Sequence, residues 1–175
     1  MKRYLTAVAT IDAVPLQELV ALGVRGLIFD LDNTLVAAHS EEVPAATTDF
    51  LREARRLGLA TVIVSNARRP RAERLGQIMS VPVVARARKP FAGAYRKGLA
   101  VLQLPGHQVA AVGDHFLTDG LGALRQGMPL VLVDPISRDE DFLVRAARPV
   151  DYVLRRLLLP RRRAGAPGTP GSPRP

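Results

Sequence analysis

Gly26-Leu27-Ile28-Phe29-Asp30-Leu31-Asp32-Asn33-Thr34 joins an apolar run to a pair of carboxylates. Its first four residues are apolar without alternation, the pattern of a strand covered on both faces. The run then stops on a carboxylate, with a second carboxylate two residues on. Four more short runs have the same character: Ala60 to Val64, Pro82 to Ala85, Val109 to Val112 and Leu130 to Val133. Helical periodicity lies between them. Residues 47–57 put Phe50, Leu51, Ala54 and Leu57 on one face and stop at Gly58. Further helices are expected at 69–78, 91–102, 118–125, 139–147 and 150–158, with a leading helix at 15–22. Strands alternating with helices predict an α/β fold, a doubly wound (Rossmann-like) parallel sheet of about five strands.

In such a sheet the chemistry sits at the carboxyl ends of the strands. The tips carry Asp30 and Asp32, then Ser65 and Asn66, then Lys89, then Asp114 with Asp119 five residues later. Singly these are commonplace, since an Asp-x-Asp after a strand is usually a turn or a helix cap. Together, on one edge, they supply paired carboxylates that need a cation or proton between them, a hydroxyl, and an ammonium. Hard oxygen donors of this kind suit Mg²⁺, and the set as a whole suits phosphoryl transfer.

Bulk properties narrow the field. The chain has 175 residues and no cysteine, so disulfides, thiolate metal sites and cysteine nucleophiles are excluded. Six arginines from Arg155 onward, with no acid among them, account for most of the net charge of +9 and leave +3 for the rest. Residues 1–159 read as one domain, and 160–175 as a disordered tail rich in Pro, Gly and Arg. No apolar run approaches the ~20 residues of a membrane span. The N-terminal stretch, interrupted by Asp12, reads as part of the mature protein.

The motifs resemble those of the haloacid dehalogenase (HAD) superfamily. Phe29-Asp30-Leu31-Asp32-Asn33-Thr34-Leu35 is similar to its first motif, Ile63-Val64-Ser65-Asn66 to its second, Ala87-Arg88-Lys89-Pro90 to its third, and Val112-Gly113-Asp114 through Thr118-Asp119 to its fourth. The arrangement is most similar to the small IIIA-type, YqeG-like phosphatases, relatives of phosphatidylglycerophosphate phosphatases. His115 stands where that family usually has Gln. The resemblance implies a Mg²⁺-dependent phosphatase in which Asp30 forms an aspartyl-phosphate and Asp32 is the general acid and base. It implies that Thr34, Ser65, Asn66 and Lys89 brace the loop or hold phosphate. Asp30, Asp114, Asp119 and the Asp32 carbonyl would serve the metal.

Only 34 residues separate Asp30 from Ser65, and fewer separate Ser65 from Lys89, so no cap domain is expected. An open site suits a bulky or surface-presented phosphate such as phosphatidylglycerophosphate. The C-terminal arginines would meet anionic lipid at the inner face of the membrane, in a protein otherwise expected in the cytoplasm. Two alternatives remain open: a soluble phosphatase for sugar, nucleotide or protein phosphates, and a non-catalytic binding module with a nucleic-acid-binding tail. The second conflicts with every catalytic position being filled. A receiver domain is disfavoured, because its phosphoacceptor normally ends a middle strand, whereas Asp30-x-Asp32-x-Thr34 follows the first strand read from the sequence.

Overall fold

The computed structural model describes residues 4–137, 149–154 and 156–157. Six strands form one sheet: β1 (Leu5–Val8), β2 (Gly26–Phe29), β3 (Ala60–Val64), β4 (Val83–Val84), β5 (Val109–Gly113) and β6 (Leu130–Val133). Their order is β1-β6-β5-β2-β3-β4, and every pairing is parallel. The helices are α1 (Leu16–Ala21), α2 (Ala45–Arg56), α3 (Arg69–Met79), α4 (Ala92–Leu102) and α5 (Leu121–Arg125). The expected α/β sheet is therefore present, with one more strand than the five read from sequence. The addition is β1, an edge strand pairing Leu5 to Val8 with Leu130 to Val133.

Strand residues alternate between two cores because successive side chains point to opposite faces. Leu27, Phe29, Ile63, Ala110, Val112, Val131 and Val133 join one core, under α1, α2 and α3. Ile28, Val62, Val64, Val109, Ala111, Leu130 and Leu132 join the other, with Tyr95 of α4 and Ala123 of α5. The edge-on contact of Phe29 with Phe50, ring centroids 5.9 Å apart, fixes α2 over β2.

Helix ends fall where the backbone permits. Gly23, Gly58 and Gly127 adopt positive φ after α1, α2 and α5, as glycine does without steric cost. The segment expected to be helical at 118–125 divides into a wide turn, Phe116–Gly120, followed by α5. The expected strand at 82–85 pairs only over Val83–Val84. The helix expected at 150–158 is helical over 149–154 and 156–157. The helix expected at 139–147 and the tail at 160–175 lie outside the described residues.

The order reverses between β5 and β2: the chain runs from β2 outward through β3 to β4, then returns to β5 on the other side. The carboxyl ends of these strands flank a crevice, the place where open α/β sheets bind ligands.

Candidate active site

Asp30 directly follows β2. Its N–H donates to Val112 O of β5 at 2.9 Å, so the nucleophile candidate continues the sheet ladder. Beyond it the chain turns sharply. Asn33 has φ of 59°, and its N–H returns to Val36 O at 2.7 Å. The Asn33 side-chain oxygen accepts from Ser137 N and Oγ, each at 3.0 Å, which ties the loop to the segment after β6.

Lys89 lies between two carboxylates. Its Nζ is 2.7 Å from Asp30 Oδ1 and 2.7 Å from Asp119 Oδ1, and its side chain is only 2% exposed. Tyr95 OH donates to the same Asp119 oxygen at 3.1 Å, while His115 N donates to the other at 3.2 Å. Asp119 is thus fully engaged and holds Lys89 from behind. Asn66 holds it from the side: Lys89 N donates to Asn66 Oδ1 at 2.8 Å, and Asn66 Nδ2 donates to Lys89 O at 3.3 Å. Ser65 Oγ caps Ala67 N at 3.0 Å.

Asp30, Asp114 and Asp119 bring carboxylate oxygens within 4.8 Å of one another. Burial pushes the Asp30 carboxyl up to about 7; Lys89 opposes that shift, and Asp119 and Asp114 add to it. Burial works against the charge on Lys89, yet Asp119 and Asp30 together hold its pKa above the ordinary value. Burial, then Asp119 and Asp30, raise the Tyr95 hydroxyl well above its usual range, so it stays a hydrogen-bond donor. Three crowded carboxylates with hard oxygen donors and one lysine are a donor set that Mg²⁺ fits.

Asp32 points elsewhere. Its Oδ1 is 2.8 Å from Arg71 Nη1 and accepts from His39 N at 3.3 Å. Arg71 Nε and Nη2 both donate to Ser40 O, at 3.2 and 2.6 Å. The guanidinium therefore joins the first turn of α3 to the loop after β2 and aims the Asp32 carboxylate.

A cleft of about 140 Å³ is lined by Asp30, Asp32, Ser65, Asn66, Lys89 and Asp114, among others. Six of the eight residues singled out by sequence thus meet on its wall. Asp119 lies behind Lys89. Thr34 lies inside the loop, 1% exposed, and its hydroxyl has no hydrogen-bond partner among the described residues. His115 also lines the cleft, and its Nδ1 is 3.0 Å from Asp151 Oδ1, close but outside hydrogen-bond alignment. Asp151 Oδ1 also accepts from Leu117 N at 2.9 Å, fastening the C-terminal helical segment to this loop.

Sequence reading missed Arg71, Tyr95 and His39. Tyr95 carried a signal as an apolar-face residue of α4, with nothing to mark its hydroxyl. Arg71 was hidden among Arg68, Arg69 and Arg74, and only the fold shows which of them turns inward.

A probable phosphatase, YqeG of Bacillus subtilis (strain 168), is 32% identical to this chain over 142 residues, 81% of each protein. The chain belongs to the haloacid dehalogenase superfamily, as a YqeG-like phosphatase. A family model described as HAD-hydrolase-like matches residues 86–158. Chloroplastic phosphatidylglycerophosphate phosphatase 1 of Chlamydomonas reinhardtii is 31% identical over 75% of this chain and 52% of its own length. Among solved structures, an uncharacterised Listeria monocytogenes serotype 4b protein superposes with a TM-score of 0.55 at 16% identity, covering 77% of this chain and all of its own. A probable YrbI-family phosphatase from Pseudomonas syringae gives 0.53 at 20% identity, covering 77% and 76%. Both confirm the HAD-like α/β fold. HAD phosphatases generally use Mg²⁺, and the three-carboxylate cluster described above could hold it.

Proposed function

We propose that this HAD phosphatase hydrolyses a phosphomonoester on a bulky or surface-borne molecule, of the phosphatidylglycerophosphate type, through an aspartyl-phosphate on Asp30. The observation that carries the reading is the Lys89 ammonium set between Asp30 and Asp119, with Asp114 beside them. The site therefore already holds a positive charge against the carboxylate that must approach an anionic phosphate.

The Asp30 carboxylate attacks phosphorus as the bond to the leaving alkoxide breaks. Asp32 gives that alkoxide its proton, then takes a proton from the water that attacks the aspartyl-phosphate, releasing phosphate and free Asp30. Ser65 Oγ and Lys89 Nζ hold phosphoryl oxygens, and Asn66 keeps Lys89 in place. Thr34 fills the loop behind Asp30. Asp30, Asp114 and the Asp32 carbonyl would hold Mg²⁺, with Asp119 as the further carboxylate of the cluster, and the ion would neutralise charge on the transferring phosphoryl group.

The cleft has room for a phosphoryl group and a cation and opens to solvent. No cap domain interrupts the chain from Asp30 to Lys89: α2, β3, α3 and β4 occupy that span. The remainder of the substrate must then lie outside, as a phosphate carried on a lipid headgroup would. The name of the Chlamydomonas relative supports this choice. Among the described residues no helix is long and apolar enough to cross a membrane. Contact with the inner face of an anionic membrane through the C-terminal arginines belongs to the same proposal.

The test is phosphate release with Mg²⁺ from phosphatidylglycerophosphate and from sugar, nucleotide and protein phosphates, beside Asp30→Asn. Lipid turnover lost in Asp30→Asn supports the reading. Full activity in Asp30→Asn refutes the mechanism. Turnover of small phosphates alone selects the soluble alternative.

A further inference from the structure

The β3 and β4 loops that carry Ser65 and Lys89 also carry a set of side chains that the chemistry does not use. Arg68, Arg69, Arg86 and Arg88 are all exposed, and Phe91 is 68% exposed. The two loops form one surface. Arg86 N donates to Ala67 O at 3.3 Å, Ala87 N to Ser65 O at 2.9 Å, and Phe91 N to Arg88 O at 3.0 Å.

Arg69 pairs with Glu73 at 3.0 Å, whereas Arg68, Arg86 and Arg88 make no ion pair among the described residues. No acidic residue occurs between Glu73 and Asp114 to compensate them. Arg86 and Arg88 also stand in left-handed backbone, with φ of 48° and 62°. Glycine would adopt that conformation freely, and asparagine nearly so. Long cationic side chains at two such positions, two residues apart, mark the side chains themselves as what the loop needs.

We infer that this loop pair is an interfacial surface that docks the phosphatase on an anionic lipid bilayer, with the arginines on headgroup phosphates and Phe91 entering the interface. Unpaired cations complement the negative bilayer surface. An exposed aromatic ring flanked by them adds the apolar contact that interfacial binding uses. Because Ser65 and Lys89 hang from the same loops, docking would set the cleft mouth against the surface. The inference rests on the surface-borne substrate proposed above and names the partner that presents it.

Full-length protein is to be floated with phosphatidylcholine vesicles with and without phosphatidylglycerol, beside Arg86→Gln/Arg88→Gln and Phe91→Ser. Each basic residue near an anionic surface contributes ~5-fold to binding, so the double variant should bind ~25-fold more weakly. Hydrolysis of soluble p-nitrophenyl phosphate should be unchanged in both variants, which also reports that they fold. Wild-type protein that ignores phosphatidylglycerol vesicles, or variants that bind as wild type does, would overturn the inference. Arginine variants that lose affinity for a duplex oligonucleotide but not for vesicles would overturn it in favour of nucleic acid.

A micelle assay separates this surface from the substrate reading. Turnover of phosphatidylglycerophosphate in detergent without vesicle binding removes the surface and keeps the substrate. Arginine-dependent vesicle binding with no such turnover keeps the surface and removes the substrate.

Discussion

Replacing Asp30 by asparagine should abolish turnover yet make the metal-free protein more stable at neutral and alkaline pH. In the unfolded chain the Asp30 proton leaves near 3.8, whereas the fold retains it up to about 7. Across that window the folded state binds more protons than the unfolded one, so stability falls as pH rises. The contribution is complete below about pH 4 and is lost as pH climbs through 7. A shift of ~3 pH units corresponds to about 4 kcal/mol at ~1.4 kcal/mol per unit, and relaxation of neighbours and entry of water reduce that to ~2–4 kcal/mol. Asparagine keeps the shape without the charge, and Lys89 keeps Asp119 as its partner. Urea unfolding in EDTA at pH 4 to 8 measures the difference between variant and wild type. With a slope near 2 kcal/mol/M, the gap between midpoints should widen by ~1–2 M across that range. A gap that stays constant from pH 4 to 8 would show that Asp30 is not buried among like charges, and the electrostatic account of the site would fail. Added Mg²⁺ should stabilise wild type most at the alkaline end and Asp30→Asn far less.

Arg71→Ala should free the Asp32 carboxylate and lower kcat/KM ~10-fold on alkyl phosphates, while p-nitrophenyl phosphate, whose leaving group needs no proton, changes little. Equal losses on both substrates would show that Arg71 only supports the fold. Gly113→Ala would drive its Cβ into the Asp119 carboxyl, so Asp119 must move and Lys89 loses its anchor. A kcat loss of ~100-fold with a lowered melting temperature is expected, and normal kinetics would refute the anchoring role. Thr34→Val removes a buried hydroxyl that has no partner among the described residues. Relief of ~1 kcal/mol raises the melting temperature by ~2–4 °C, and a lower melting temperature would show that the hydroxyl is satisfied.

Much of the site was legible because parallel strands deliver their tips to one edge. Asp30, Ser65, Lys89 and Asp114 each follow a short apolar run, so their convergence needed no knowledge of side-chain packing. β1 was not legible: Leu5 to Val8 is a four-residue edge strand between the basic start of the chain and Asp12, and it pairs with β6, more than a hundred residues away. Asn66 lines the cleft as the resemblance implies, and its side chain also clasps the Lys89 main chain, a non-local contact with no periodicity to betray it. Arg71 was hidden for the same kind of reason, since α3 has to be placed before one arginine in a basic run can be told from its neighbours.

The hydrogen bond from Asp30 N to Val112 O makes the last rung of the β2–β5 ladder part of the chemistry. Amides in such central strands exchange with solvent only on the slow, near-global opening of a domain. Asp32, two residues on, sits in a loop whose side-chain contacts run to Arg71 and His39. The two carboxylates are therefore neighbours in sequence but are anchored by different parts of the fold. The main chain of Asp30 is held by the sheet itself, whereas the Asp32 carboxylate is held by Arg71 and the His39 amide, so a change at Arg71 reaches the acid without touching the nucleophile's anchor.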